Sequence, residues 1–141
     1  MKRNSTGQNL LLATAAFTTI GGFLFDWNRT HLFNPRWTPH AKFHDAMTIL
    51  LGSLLGAGGI YLLQKKGGDQ QMQLKWGTIL PAFFWTAQAG SFAFPGAKGL
   101  EAEFPELVPE LGPVKLNEAP VSVLMLALLG TGYLLAKKHT D

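Results

Sequence analysis

The chain has 141 residues, enough for one domain or one small helical bundle. Charged residues make up 15% of it, against about 25% in a typical soluble domain. The net charge of +3 is too small to argue for nucleic acid as a partner, and the absence of cysteine excludes disulfide and thiolate chemistry.

The hydrophobic fraction of 47% would suit a soluble protein, but its distribution does not. The apolar residues fall into four long blocks with the charges between them. A soluble helix carries an apolar stripe, whereas a block apolar on all sides calls for lipid. The pattern predicts an all-α integral membrane bundle of four transmembrane helices in a single domain, 1–141. The helices are expected over about residues 9–27, 39–64, 76–94 and 118–138.

The first block, residues 9–25, is at the short end for a hydrocarbon core of about 30 Å. Its basic lead, Met1-Lys2-Arg3, has the look of a signal peptide. No A-x-A-like cleavage site precedes Asp26, however, and three further apolar blocks follow, so a retained span is expected. The second block, 46–63, carries Gly52, Gly56 and Gly59, with Ser53 and Ala57 in the same small-x-x-x-small register. Small residues let helix backbones approach closely where no hydrophobic drive acts between helices. This face is expected to pack the helices together, and it is also the expected route to a homo-oligomer. The third block, 76–94, contains Pro81, which predicts a kink. The fourth is 121–136.

Orientation follows from Lys and Arg in the short connections. With the N-terminus cytoplasmic, the inner segments hold seven: Lys2, Arg3, Lys65, Lys66, Lys75, Lys137 and Lys138. The outer segments hold five: Arg29, Arg36, Lys42, Lys98 and Lys115. Both termini are therefore expected in the cytoplasm, with residues 26–45 at the outer face of a bacterial inner membrane.

That segment, 26–45, contains three of the four histidines, two aspartates, two asparagines and two tryptophans. An ordinary connection has no need of such a composition. Thr38-Pro39 reads as the start of helix two, Thr as N-cap and proline at the first helical position. His40 and His44 then share one helix face, continued by Met47, Thr48 and Leu51, and are expected to point into the bundle. Asp26 falls where helix one ends. A carboxylate is unfavourable beside the negative end of a helix dipole, so a partner is expected among Arg29, His31 and His40.

Three readings of the cluster stand open. In the first, Asp26 and His31 form a charged pair, His40 and His44 donate or accept protons, and a small apolar molecule is the substrate. In the second, His31, His40, His44 and Asp26 hold a divalent metal such as zinc. The metalloprotease pattern is lacking, because Ala41 follows His40. In the third, these groups cap helices and brace the connection, and the protein is an assembly subunit. Trp27 and Trp37 fit an aromatic belt in any of the three. On the first reading Trp27, Asn28, Asn34 and Trp37 also contact the ligand. Trp85 and Gln88, three apart on helix three, add a wall. The acidic, proline-rich connection 95–117 is expected at the outer face, as a lid or as a solvated, extended loop. Its glutamates could complement Arg29, Arg36 and Lys42. Asn117 reads as the N-cap of helix four.

The run D-W-N-x-T-H-x-x-N-P-x-W-x-P-H-A-x-F-H resembles the signature of a poorly characterised family of small four-helix membrane proteins. Members occur in bacteria and fungi, and some carry an acetyltransferase label. The match rests on Asp26, Asn28, Thr30, His31, Asn34, Pro35, Trp37, Pro39, His40, Ala41, Phe43 and His44. Many such sequences continue H-N-G-Q-T. This one reads His44-Asp45-Ala46-Met47-Thr48, which adds a carboxylate. More distantly, the layout is similar to the DoxX-like proteins and to the emopamil-binding and sigma-2 group. The latter resemblance implies a ligand pocket inside the membrane, lined by carboxylates and aromatics. The expected function is binding, and acid–base transformation, of a small and mainly apolar molecule, with membrane lipid as the surrounding partner.

Overall fold

The computed structural model describes residues 5–138. Lys2, Arg3 and the chain termini, on which the orientation reading draws, lie outside the described residues. Four long helices account for most of the chain: α1 (Thr6–Phe25), α2 (Pro39–Gln64), α3 (Gln70–Ser91) and α4 (Glu118–Lys137). Each begins at a side-chain cap. Ser5 accepts from the Gln8 amide, Thr38 from Ala41, Asp69 from Met72 and Asn117 from Ala119. Helix α3 starts well before the expected residue 76 for this reason. The Asp69 cap nucleates a polar first turn and a half that hydropathy does not register.

The helices form a ring in which α1 touches α2 and α4, α3 touches the same two, and α1 meets α3 across the diagonal. Neighbours run antiparallel, so the α1–α2 and α3–α4 connections share one end of the bundle, the lid end. Helices α1, α2 and α4 are long and apolar enough to cross a membrane. Large apolar side chains stand exposed around the outside, among them Phe23, Phe43, Leu54, Tyr61, Leu124 and Leu134. Lipid, not water, is the fitting solvent for such a surface.

Glycine sets the spacing inside. A Cβ at Gly56 would lie 2.6 Å from both the Ala15 carbonyl oxygen and the Thr19 nitrogen of α1. One at Gly59 would lie 2.9 Å from the Gly77 carbonyl oxygen of α3, and one at Gly52 would meet the Phe84 ring. The glycine face of α2 is thus spent within the chain, between α1 and α3. This is the packing role expected of the small-residue face. Pro81 lies inside α3 without interrupting it, its ring against Gly59.

Polar groups in the interior are bonded to nearby backbone, as a low-dielectric setting requires. Thr14, Thr18, Thr19, Thr78 and Ser122 each donate to the carbonyl four residues earlier. Ser53 also donates across to the Thr19 carbonyl at 2.7 Å, and Gln8 Nε2 donates to the Leu63 carbonyl at 3.0 Å.

The α3–α4 connection is folded, not an extended solvated loop. It contains two short 3-10 turns, Leu100–Ala102 and Pro105–Leu107. A small antiparallel hairpin follows, β1 (Glu110–Leu111) and β2 (Val114–Lys115), which turns at Gly112 with φ +60°. Val108 is driven inward to 7% exposure.

Candidate functional site: a lidded cavity headed by Asp26 and His31

The chain leaves α1 through a compact knot of hydrogen bonds. Asn28 Nδ2 donates to the Phe25 carbonyl at 2.5 Å, meeting one of the acceptors that the helix end leaves open. Its Oδ1 accepts from the Thr30 amide at 2.8 Å and from the Thr30 hydroxyl at 2.6 Å. The Thr30 hydroxyl has only one proton, and Asn28 receives it. At 2.8 Å from the same oxygen, His31 Nδ1 is placed to donate to it in the tautomer that carries the ring proton there. In that tautomer His31 Nε2 is the proton-accepting atom. It faces Asp26 Oδ1 at 3.8 Å. The gap is too wide for a direct hydrogen bond, but a third polar atom can bond to both. The Trp37 ring lies edge-on to the imidazole, centroids 5.7 Å apart, and holds its plane.

Behind this pair opens a cavity of about 480 Å³ between α1, α3, α4 and the α3–α4 connection. Asp26 and His31 both line it. Phe17, Phe84 and Trp85 form its aromatic wall. Trp85 stacks on Phe17 at 6.1 Å and donates its Nε1 proton to Thr18 Oγ1 at 2.8 Å, so the ring orientation is fixed. Leu107, Val108, Pro109 and Leu116 line the cavity from the connection, which folds over this side of it like a lid. The lid is tied down at several points. Both Glu118 carboxylate oxygens accept from the Leu100 amide, at 3.1 and 3.2 Å. Asn117 Nδ2 donates to Glu101 Oε2 at 2.8 Å. Arg36 pairs with Glu103 at 3.3 Å and stacks over the Phe104 ring. Of the expected complements to the lid's glutamates, Arg36 is the one this pairing uses.

Burial pushes the Asp26 carboxyl up to about 6, and the negative charge of Glu118 adds to the shift. Asp45, on α2, is within electrostatic reach of both Asp26 and His31, and its Oδ2 is buried without a hydrogen-bond partner. The cavity wall thus holds acids from the end of α1 and the start of α4 together with one imidazole, and Asp45 of α2 stands behind them, outside the wall.

The remaining expected residues divide. Trp85 and Gln88 line the cavity, and Gln88 Nε2 reaches the Glu118 carbonyl at 3.4 Å. Asn28 and Trp37 act on His31, as described, and are not in the cavity wall. Asn34 is 1% exposed and braces the turn, donating to the Thr30 carbonyl and accepting from the Arg36 amide. Trp27 is exposed and packs edge-on to Phe33, a surface position suited to an interface belt.

His40 and His44 are also exposed, contrary to the expected inward face. Their Nε2 atoms lie 3.1 Å apart, and His40 stacks on Phe43. The reason is helical phase. The glycines must face inward, and the face of Gly52 and Gly59 carried seven residues back arrives at Asp45, not at His44. The described histidines therefore form two separate groups. Among the described residues, no three His, Cys, Asp or Glu side chains come together in a group that could hold a metal ion. The set His31, His40, His44 and Asp26 is not assembled. Changing His40 and His44 together to alanine is expected to alter stability by no more than about 0.5 kcal/mol. Detergent melting curves and titration of a cavity ligand, both unchanged, are the readouts.

Five residues in or beside the site escaped the sequence reading. Asp45 was legible as the position one heptad before Gly52. Glu118 follows the Asn117 cap directly, where an acid is usual for helix-dipole reasons alone, so nothing local marked it. Phe17, Thr18 and Phe84 looked like any other lipid-soluble positions.

Neither the curated proteins nor the solved structures hold a significant match to the chain. One family model does match, and it spans residues 10–140, nearly the whole bundle including the knot, the cavity and the lid. On that match the chain belongs to DUF6640, a family of unknown function.

Proposed function

We propose that this protein binds a small, mainly apolar molecule in the lidded cavity, and that Asp26 and His31 exchange a proton with the molecule's polar group. One observation carries the reading: a carboxyl poised near neutral pH lines an aromatic-walled cavity of about 480 Å³, opposite an imidazole nitrogen free to accept. An acid held near the working pH is suited to both giving and taking a proton. The bound polar group would bridge Asp26 Oδ1 and His31 Nε2, taking a proton from one and passing a proton to the other.

The setting is a bilayer, in our reading that of the bacterial inner membrane, with lipid around the bundle. Helix α3 is the fourth span. Its 22 residues extend about 33 Å, between the lengths of α2 with 26 residues and α4 with 20, and it packs against both. Its lower hydropathy comes from the polar first turns, Gln70 to Lys75, which would lie at the membrane surface. The seven-to-five split of Lys and Arg supports a cytoplasmic side for the termini and the α2–α3 connection and an outer side for the lid. A single cysteine at Lys66 should resist an impermeant maleimide in intact cells, while one at Lys98 should react. The opposite pattern would invert the orientation.

The binding reading is tested by what the protein retains. Organic extracts of the purified chain, analysed by mass spectrometry, should contain one apolar molecule in near-stoichiometric amount. Val121 lines the cavity. Val121→Trp fills that space and should abolish retention without lowering the melting temperature. Equal retention by the two proteins would place the molecule elsewhere and sink the proposal.

A further inference from the structure

Resting on the binding reading above, we propose that the cavity's ligand is a lipophilic amine, its ammonium group held at the lid end between Asp26 and Glu118 and its apolar body against Phe17 and Trp85. The charge of the lining points this way. Among the described residues, no Lys or Arg lines the cavity, and Asp26 and Glu118 both do. Arg36 is engaged with Glu103 and Phe104. Asp45 adds a third carboxylate within electrostatic reach of Asp26. Among the described residues, His31 is the one basic group in the wall, and it stands 3.8 Å from a single carboxylate. The like charges of Asp26 and Glu118 oppose each other across the head of the cavity, and a ligand cation relieves that opposition. An anionic head would add to it.

The apolar part of the cavity agrees with the same class. Phe17 and Thr18 lie eight to nine residues before Asp26, a helical rise of about 12 Å between backbone positions, and with Phe25 they line the space between. The volume of about 480 Å³ accommodates a short chain or a ring system below the head group. A neutral alcohol could use the bridge between Asp26 and His31 but would leave the acids uncompensated. Ligands of equal shape are therefore separated by charge alone.

The experiment uses three probes with one skeleton: 4-phenylbutylamine, 4-phenylbutanol and 4-phenylbutanoate. Each is titrated calorimetrically at pH 7.5 into the full chain in phosphatidylcholine nanodiscs, with empty nanodiscs subtracted. The amine should bind at least tenfold more tightly than the alcohol, and the carboxylate least tightly. Asp26→Asn combined with Glu118→Gln should reduce the amine's advantage over the alcohol to less than about threefold. In Glu118→Gln the side-chain carbonyl oxygen can still accept from the Leu100 amide, which keeps the lid anchored. Alcohol binding as tight as amine binding in the wild-type chain overturns the amine and leaves the apolar pocket standing. Failure of all three probes overturns the pocket as well. An amine preference that persists in the double variant overturns the assignment to these two carboxylates. The wild-type series decides the class even where the double variant does not fold.

Discussion

Leucine at Gly56 is expected to unfold the bundle or to cost it about 3 kcal/mol or more. A Cβ there already lies within 2.6 Å of two backbone atoms of α1, and neither can rotate away as a side-chain tip could. Overpacking a fitted interior typically costs about 1–3 kcal/mol, and the upper end applies where the obstacle is main chain. The loss would not stop at one interface. Ser53, three residues earlier on α2, donates to the Thr19 carbonyl, and separation of α1 from α2 would break that bond inside the apolar interior. Gly130 is the control: nothing lies within 4 Å of a Cβ built there. Gly130→Ala should be neutral or stabilising by up to about 1 kcal/mol, because alanine is the better helix former. Unfolding in mixed micelles measures both. A Gly56→Leu variant as stable as the wild type would mean that α1 and α2 do not meet at this glycine.

Asp26→Asn should separate stability from function. In the unfolded chain the carboxyl titrates near 3.8, and in the folded protein burial and Glu118 raise it to about 6. Between those values the folded state keeps a proton that the unfolded state has released. The group's contribution to stability is therefore full below about pH 4 and is lost as pH rises through about 6. At neutral pH the fold carries a partly buried charge that it disfavours. Asparagine keeps the shape and removes that charge. The variant should be more stable than the wild type above pH 6, by an amount of order 1–2 kcal/mol once partial exposure is allowed for, with the difference fading toward pH 4. Proton exchange, in contrast, should fall by about 10²–10⁴-fold, the usual contribution of a positioned acid or base. A residue that the fold would gain by losing is best explained by its use. Melting temperatures of both proteins from pH 4 to 8 test the first half. Parallel curves across that range would contradict it.

The architecture was largely legible because its determinants are local. Thr38-Pro39 and Asn117 announce helix starts by side-chain chemistry, and α2 and α4 begin where those caps stand. Asp69 is a cap of the same kind, but it precedes a polar stretch, so block-by-block hydropathy dates α3 several residues too late. Asp26 and His31 come to 3.8 Å because both sit in the short knot after α1; the compensation expected for the carboxylate is not supplied, since burial and Glu118 raise its carboxyl to about 6. The error lay in phase. His40 and His44 drew attention as a spacing pattern, while the glycines on the same helix already determined which way it faces. Reading the two patterns together turns the histidines outward and Asp45 inward. The lid and Glu118 depend on how the α3–α4 connection folds back over α1. That is a matter of long-range contacts, such as Val108 against the cavity, and no local sequence rule reports it.

The carboxyl of Asp26 itself offers the most direct measurement. Protein labelled with ¹³C at aspartate Cγ has four such carbons, at residues 26, 45, 69 and 141, and Asp26→Asn removes and so identifies one. Followed by NMR from pH 3 to 9, that signal should titrate near 6 in the free protein and shift when an apolar ligand enters the cavity. A signal that titrates near 4 and ignores every ligand would place Asp26 in open solvent, with no lidded, proton-exchanging cavity above it.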